Sequence, residues 1–430
     1  MSTVFTSPLS LPERAAAQLF LLALFSVSFS TALTNIFVVF AYLSFLAAVA
    51  TSRPLRAVLC QPRLMLPGLL ALTLLALYLL GSTWTIAPRA DLLTALKKYS
   101  RLLILPMVIA LAWRDPRLPR RALAWGLAGT AVLVVSIYLT SVGMMPRSSL
   151  GWWRVSADTQ DAFVFRNHVT IGILLAFASS AGVLIASYAR QWKQRAPAIA
   201  GALLAALPIM FLSQGRTGYL VLCIGLMTVF LLRVRLTPLR VAAALAAVML
   251  MATGVYSYSH NVKSRTDAMV NEIKNDEVQS PNGLRVSFLE EGMRLFVSHP
   301  LIGIGTGGFA AAYEPTAKRN WPPGSEMAVS RHQPHSEFML AAVQLGVLGL
   351  AAYFAMLGSL ARATLGRHPG QQSSDFARDI LVLLLTIYIV ASSFNSLLWD
   401  TTEAHWFLLL SGCLYVAARR RQSSVPEQAG

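Results

Sequence analysis

Residues 165–233 read FRNHVTIGILLAFASSAGVLIASYARQWKQRAPAIAGALLAALPIMFLSQGRTGYLVLCIGLMTVFLLR. They hold three apolar runs, 165–188, 196–213 and 216–233, separated by two short polar connections. An α-helix rises about 1.5 Å per residue, so roughly 17–25 apolar residues cross the hydrocarbon core of a bilayer. Each run has that length. The first connection carries Arg190, Lys193 and Arg195, and the second is the tight turn Ser213-Gln214-Gly215-Arg216-Thr217-Gly218. This pattern of helix, basic connection, helix, tight turn and helix predicts an all-α polytopic membrane protein.

Outward from that stretch the same pattern repeats. Runs at about 15–33, 35–51, 65–82, 94–113, 121–142, 238–258, 336–361, 376–398 and 403–418 bring the expected total to twelve spans. The pairs 15–33/35–51 and 196–213/216–233 read as helical hairpins. The start of 94–113 is weakened by Lys97, Lys98 and Arg101. The first run lacks a small-residue cleavage site and is read as a retained helix.

Composition fits this reading. The 430 residues are 55% hydrophobic and 13% charged, against about 25% charged in soluble domains, and mean hydropathy is +0.57. The net charge of +17 would suggest nucleic acid in a soluble protein, but its placement excludes that. With Arg14 and the tail Arg419–Arg421, one side of the predicted topology holds 20 Lys and Arg against 5 Asp and Glu. The other holds 16 against 14. Basic connections stay cytoplasmic, so both termini are expected inside. Cys60, Cys223 and Cys413 are far apart, odd in number and without metal-type spacing, and are read as packing residues.

The expected organisation is 1–258 as nine spans with an outer loop at 143–164, then 259–335 as a helical periplasmic subdomain. Spans 10–12 follow at 336–418 and a cytoplasmic tail at 419–430. The long loop holds an apolar-periodic stretch, Leu284 to Val297, that predicts an amphipathic helix.

Candidate residues gather on the outer side. Arg216, at its hairpin tip, can grip a phosphate with its guanidinium fork; an arginine snorkelling to the interface explains it equally. Arg285 and Arg294 lie on the amphipathic stretch and are either solvated or, for Arg285, turned inward. Arg166, with Asn167 and His168, opens one span, and Lys97, Lys98 and Arg101 begin another. Each alone reads as an interfacial anchor; together they predict a basic funnel suited to a diphosphate headgroup. His332 and His335 stand where the long loop meets a span, beside Glu337. A neutral imidazole there can take a proton from a sugar hydroxyl. Zinc is the competing use, but Pro334 breaks the helix that would align the pair, and no Asp-rich segment supplies a magnesium site. No metal or other cofactor is expected. Trp153 and Arg154, in Trp152-Trp153-Arg154, can face sugars or the interface.

The segment 284–350 resembles the O-antigen ligase/polymerase superfamily of bacterial membrane glycosyltransferases. The resemblance rests on Arg285, on His299-Pro300-Leu301-Ile302-Gly303-Ile304-Gly305-Thr306-Gly307-Gly308-Phe309, on Pro334-His335-Ser336-Glu337-Phe338 and on Gly346-Val347-Leu348-Gly349-Leu350. Asparagine often follows the histidine in that superfamily, and here Ser336 stands there. The resemblance implies a GT-C-like fold. It also implies transfer of a glycan from undecaprenyl diphosphate to an acceptor hydroxyl at the periplasmic face of the inner membrane. By motif, His335 would be the base or acceptor-orienting residue. Arg216 and Arg285, with Arg166, Lys98 and Arg101 around them, would bind the donor diphosphate. His332, Glu337, His168, Trp153 and Arg154 would support the site or the acceptor. Among the branches, a ligase acting on lipid A-core is favoured by length, the single large loop and the lack of an added domain. A polymerase, a protein glycosyltransferase and, in another class, a lipid-linked glycan transporter are the alternatives. A transporter would place charges near the midplane on both halves, whereas these spans are nearly charge-free at their centres.

Overall fold

The computed structural model describes residues 8–146, 155–156, 161–213, 215–233, 281–322, 332–365 and 372–420, with scattered residues between 242 and 271. Among them there is no strand, only one isolated bridge between Val155 and Val164. Helices α1 (Leu11–Ser26) and α2 (Thr31–Thr51) form the first hairpin, and α3 (Arg53–Leu59) leads to α4 (Pro62–Leu80). Next come α5 (Arg89–Tyr99), a 3₁₀ turn at Ser100–Leu103, α6 (Ile104–Arg114) and α7 (Leu118–Ser141). Helices α8 (His168–Tyr188), α9 (Trp192–Leu207, ending in a wide turn at Pro208–Leu212) and α10 (Arg216–Arg233) realise the three runs from which the fold was read. The long loop contributes α11 (Pro281–Ser298) and α12 (Phe309–Asn320). Helices α13 (Glu337–Ala361), α14 (Gln372–Ser392) and α15 (Thr401–Arg419) close the chain.

Seven helices among the described residues are long and apolar enough to cross a membrane: α2, α4, α7, α8, α9 with its wide turn, α10 and α13 with the turn after it. The chain is therefore an all-helical, multi-pass membrane protein. The expected span 94–113 is not one helix: α5 and α6 meet through the 3₁₀ turn that holds Arg101. Most of 238–258, and Trp153 and Arg154, lie outside the described residues. α15 carries Glu403 and His405 in its first turns, yet it is buried without interruption from Thr402 to Val416. Protein, not lipid, surrounds those polar groups. By contrast, α2 turns Ile36, Val39, Phe40, Leu43 and Leu46 outward, as a lipid-facing helix does.

Two local solutions fix the bundle. Gly172 on α8 and Gly218 on α10 bring the helices so close that a Cβ on Gly172 would sit 2.7 Å from the Gly218 Cα; small residues permit such crossings. At the other end, Glu13 receives Ser10 N–H at 2.7 Å and Arg114 Nε at 2.9 Å with both side chains buried. The pair ties α1 to the end of α6.

The glycine-rich motif is structural. α13 breaks at Gly346 (φ 64°, ψ −156°), which leaves carbonyls and an N–H of the break without helical partners. Ile304 N–H donates to Val343 O at 2.9 Å, Gly305 N–H to Gln344 O at 3.0 Å, and Val347 N–H to Pro300 O at 2.8 Å. The Gly303–Gly308 loop thus fills the gap in the helix. Its Thr306 N–H reaches Gly81 O at 3.1 Å and its hydroxyl Tyr78 O at 2.7 Å, at the end of α4. Irregular backbone packed into a helical bundle is stable only with its polar groups satisfied in this way.

Candidate functional site

α11 is the amphipathic helix expected from residues 284–297. Its buried positions Ser287, Phe288, Glu291, Gly292 and Leu295 recur at helical spacing on one face. That face meets α13, where a Cβ on Gly292 would lie 2.6 Å from Met339 Cγ. It also meets α12, where the Ser287 and Tyr313 hydroxyls are 3.0 Å apart. Glu291 accepts from Arg294 Nε at 3.0 Å and from the Thr316 hydroxyl at 3.1 Å. Burial alone would raise the Glu291 carboxyl; its bonds to Arg294 and that residue's charge reverse this and hold it below its ordinary value. Arg285 is therefore carried on an element clamped from two sides.

His335 precedes the first turn of α13. Its φ of 53° is left-handed, a conformation uncommon for a residue with a side chain, though His tolerates it better than most. The Ser336 hydroxyl then accepts from Met339 N–H at 3.4 Å and caps the helix. The imidazole packs against Phe288, with ring centroids 5.7 Å apart. Phe288 is one turn along α11 from Arg285.

Arg216 begins α10. Behind it, Gly215 closes the turn on Gly218 N–H at 2.9 Å. His168 backs this tip, its Nδ1 3.5 Å from both the Ser213 hydroxyl and Asp161 Oδ1.

These three elements converge. Arg216, Tyr219, Arg285, His335, Ser336 and Phe394 line one cavity of about 650 Å³, with Leu220, Val286 and Leu289 as its apolar wall. No acidic side chain is among its described lining residues. Burial pushes Arg285 below its ordinary pKa, and the charge of Arg216 pushes it further down. Two guanidiniums that repel each other at one cavity, with no carboxylate among its described lining residues, make a site suited to an anion.

The remaining candidates lie elsewhere, so the expected single funnel divides in two. Lys98 Nζ and Arg101 Nη1 both donate to Trp399 O at 3.2 Å, and Arg101 Nη2 donates to the Thr401 hydroxyl at 2.7 Å. Arg166 donates to the Thr31 hydroxyl and to Val27 O at 2.8 Å. These cationic groups hold protein oxygens, and none of the three residues lines the Arg216 cavity. His332 is turned to Asp91, 3.9 Å away, and to the Trp399 ring. Glu337 is fully buried and accepts from Leu398 N–H at 2.8 Å and Trp399 N–H at 3.4 Å, stapling that segment to α13.

Sequence reasoning passed over the segment Trp399-Asp400-Thr401-Thr402-Glu403. Its residues Asp400 to Glu403 line a second cavity of about 340 Å³ together with Arg166, Asn167 and Thr170. The signal was four consecutive polar residues, two of them acidic, directly before an apolar run.

No curated protein matches the chain. Residues 201–354 match the family model described as O-antigen ligase, a stretch from within α9 to within α13. It includes Arg216, Arg285 and His335. That segment, less than half of the chain, is similar to the O-antigen ligase family, in line with the superfamily its motifs resemble.

Proposed function

We propose that the protein is an O-antigen ligase of the bacterial inner membrane. In this reading it transfers a glycan from undecaprenyl diphosphate to a sugar hydroxyl of lipid A-core at the periplasmic face. The observation that supports it best is the meeting of Arg216, Arg285 and His335, from three separate elements, in one cavity with no acidic residue in its described lining. Guanidiniums grip a diphosphate through paired hydrogen bonds, and the apolar wall of Leu220, Val286 and Leu289 suits the first part of a polyprenyl chain.

The chemistry follows from those groups. The acceptor O–H gives its proton to the His335 imidazole as its oxygen bonds to the anomeric carbon. The bond from that carbon to the diphosphate oxygen breaks, and Arg216 and Arg285 stabilise the negative charge that collects on the leaving group. Direct attack inverts the anomeric configuration. The proton then leaves His335 for water or the released diphosphate. This reading takes twelve spans with both termini inside, as the basic connections favour, and with them a cavity that opens at the periplasmic face.

The test is a reconstitution of the purified protein with undecaprenyl-diphosphate glycan and three alternative acceptors: rough lipopolysaccharide, a second donor molecule, or an acceptor protein. Sugar added to rough lipopolysaccharide, undiminished in EDTA, is the expected result. Chain growth on the donor alone would make the protein a polymerase, and recovery only on adding a divalent ion would overturn the metal-free site.

A further inference from the structure

The second cavity has a different chemistry from the first. Arg166, Asn167, Thr170, Asp400, Thr402 and Glu403 line it, so acids, a base, an amide and hydroxyls face the same 340 Å³. That volume is within the range of small-ligand sites. The Thr170 hydroxyl donates to Glu403, which is buried, and Gln333 Nε2 donates to Asp400 at 3.4 Å. Arg166 Nε is buried and has no hydrogen-bond partner among the described residues.

Mixed donors and acceptors of this kind select their ligand. A phosphate would meet Asp400 and Glu403 and be repelled. A metal ion would need several converging ligands, and among the described residues no three His, Cys, Asp or Glu side chains are grouped to hold one. A sugar fits, because each of its hydroxyls both donates and accepts.

The chain also links this cavity to the first one. Gln333 reaches Asp400, and two residues later His335 lines the diphosphate cavity. Two residues span at most about 7 Å. On the other flank, Arg166 lines the polar cavity while His168 backs the tip that carries Arg216.

We propose that the cavity between Arg166, Asn167, Asp400 and Glu403 is the acceptor subsite, which seats the sugar whose hydroxyl is presented to His335. This rests on the glycosyl-transfer reading of the first cavity. Lys98 and Arg101, by holding Trp399 O and Thr401, fix the Asp400 side of that subsite and leave donor binding to Arg216 and Arg285.

The full-length protein, Asp400→Asn and Asn167→Ser are compared in initial rates over a range of rough lipopolysaccharide at saturating donor, and over a range of donor at saturating acceptor. Ser keeps the oxygen that caps α8 at Thr170 N–H and removes the amide donor. The acceptor KM is expected to rise about tenfold, as loss of one hydrogen bond to a buried or charged partner gives, while the donor KM moves less than twofold. A raised donor KM with an unchanged acceptor KM would overturn the proposal, and so would no change in either. If Asp400→Asn fails to fold, as judged by size-exclusion profile, Asn167→Ser decides. If the wild type transfers nothing, the functional reading fails separately. Calorimetric binding of delipidated core oligosaccharide then decides the subsite: binding weakened by Asn167→Ser supports it, while no binding or an unchanged Kd rejects it.

Discussion

At Arg285 two costs coincide, burial and the nearby charge of Arg216, and both are relieved when an anion enters. Arg285→Ala is expected to raise the donor KM at least tenfold, because a charge-assisted contact to phosphate is worth about 1.5–3 kcal/mol. Arg285→Lys should recover only part of this, since an ammonium lacks the planar fork. Steady-state rates against donor concentration check both; wild-type KM in either variant would remove Arg285 from the diphosphate. Much of this was legible beforehand. Arg216 stood out because an arginine at a hairpin tip needs water or an anion, and His335 because it stands where a loop becomes a span. The sequence could not tell which cations share a cavity. Lys98, Arg101 and Arg166 look like Arg216 in one dimension, but their charged ends hold the Trp399 carbonyl, Thr401, Thr31 and the Val27 carbonyl. Those partners lie far away in the chain, and only folding brings them near.

Among the elements, the break in α13 and the glycine loop that fills it position the histidine. Gly346 has φ 64°, and a Cβ there would collide with the Leu301 carbonyl; Gly305, at φ 89°, would collide with Thr85. Gly346→Ala is expected to cost more than about 1 kcal/mol from backbone strain alone, with the collision added. Gly358→Ala, on the same helix where a new Cβ meets nothing within 4 Å, should be neutral or stabilise by about 0.5–1 kcal/mol. Thermal unfolding followed by size-exclusion separates the two, and an unchanged Tm for Gly346→Ala would refute the packing described. The sequence marks this motif as a turn-rich run, but its pairing with a helix forty residues later is a tertiary fact. Periodicity did show α11, because one apolar stripe at 3.6-residue spacing needs no distant partner to be recognised. It failed at 94–113, where the apolar run continues through a 3₁₀ turn that hydropathy does not register.

For the molecule as a whole, the basic connections predict an orientation that the native cysteines can report. Cys60 is exposed in the connection between α3 and α4, on the basic side, whereas Cys413 is buried and Cys223 half-buried. A membrane-impermeant maleimide should label Cys60 in inside-out vesicles and not in right-side-out ones; the reverse would invert the topology. Helix α15 shows why composition alone misjudges such a bundle. Glu403 and His405 make it look poorly suited to lipid, and it lies instead in the protein interior. In the proposed function Arg216, Arg285 and His335 form one glycosyl-transfer site, and His335 carries the proton in that site. The direct measurement is transfer of glycan to rough lipopolysaccharide by purified wild type and His335→Ala, with folded state and donor binding monitored alongside. A fall of about 10²–10⁴-fold in transfer, with the variant still folded and still binding donor, is the expected result; transfer at the wild-type rate would contradict the account.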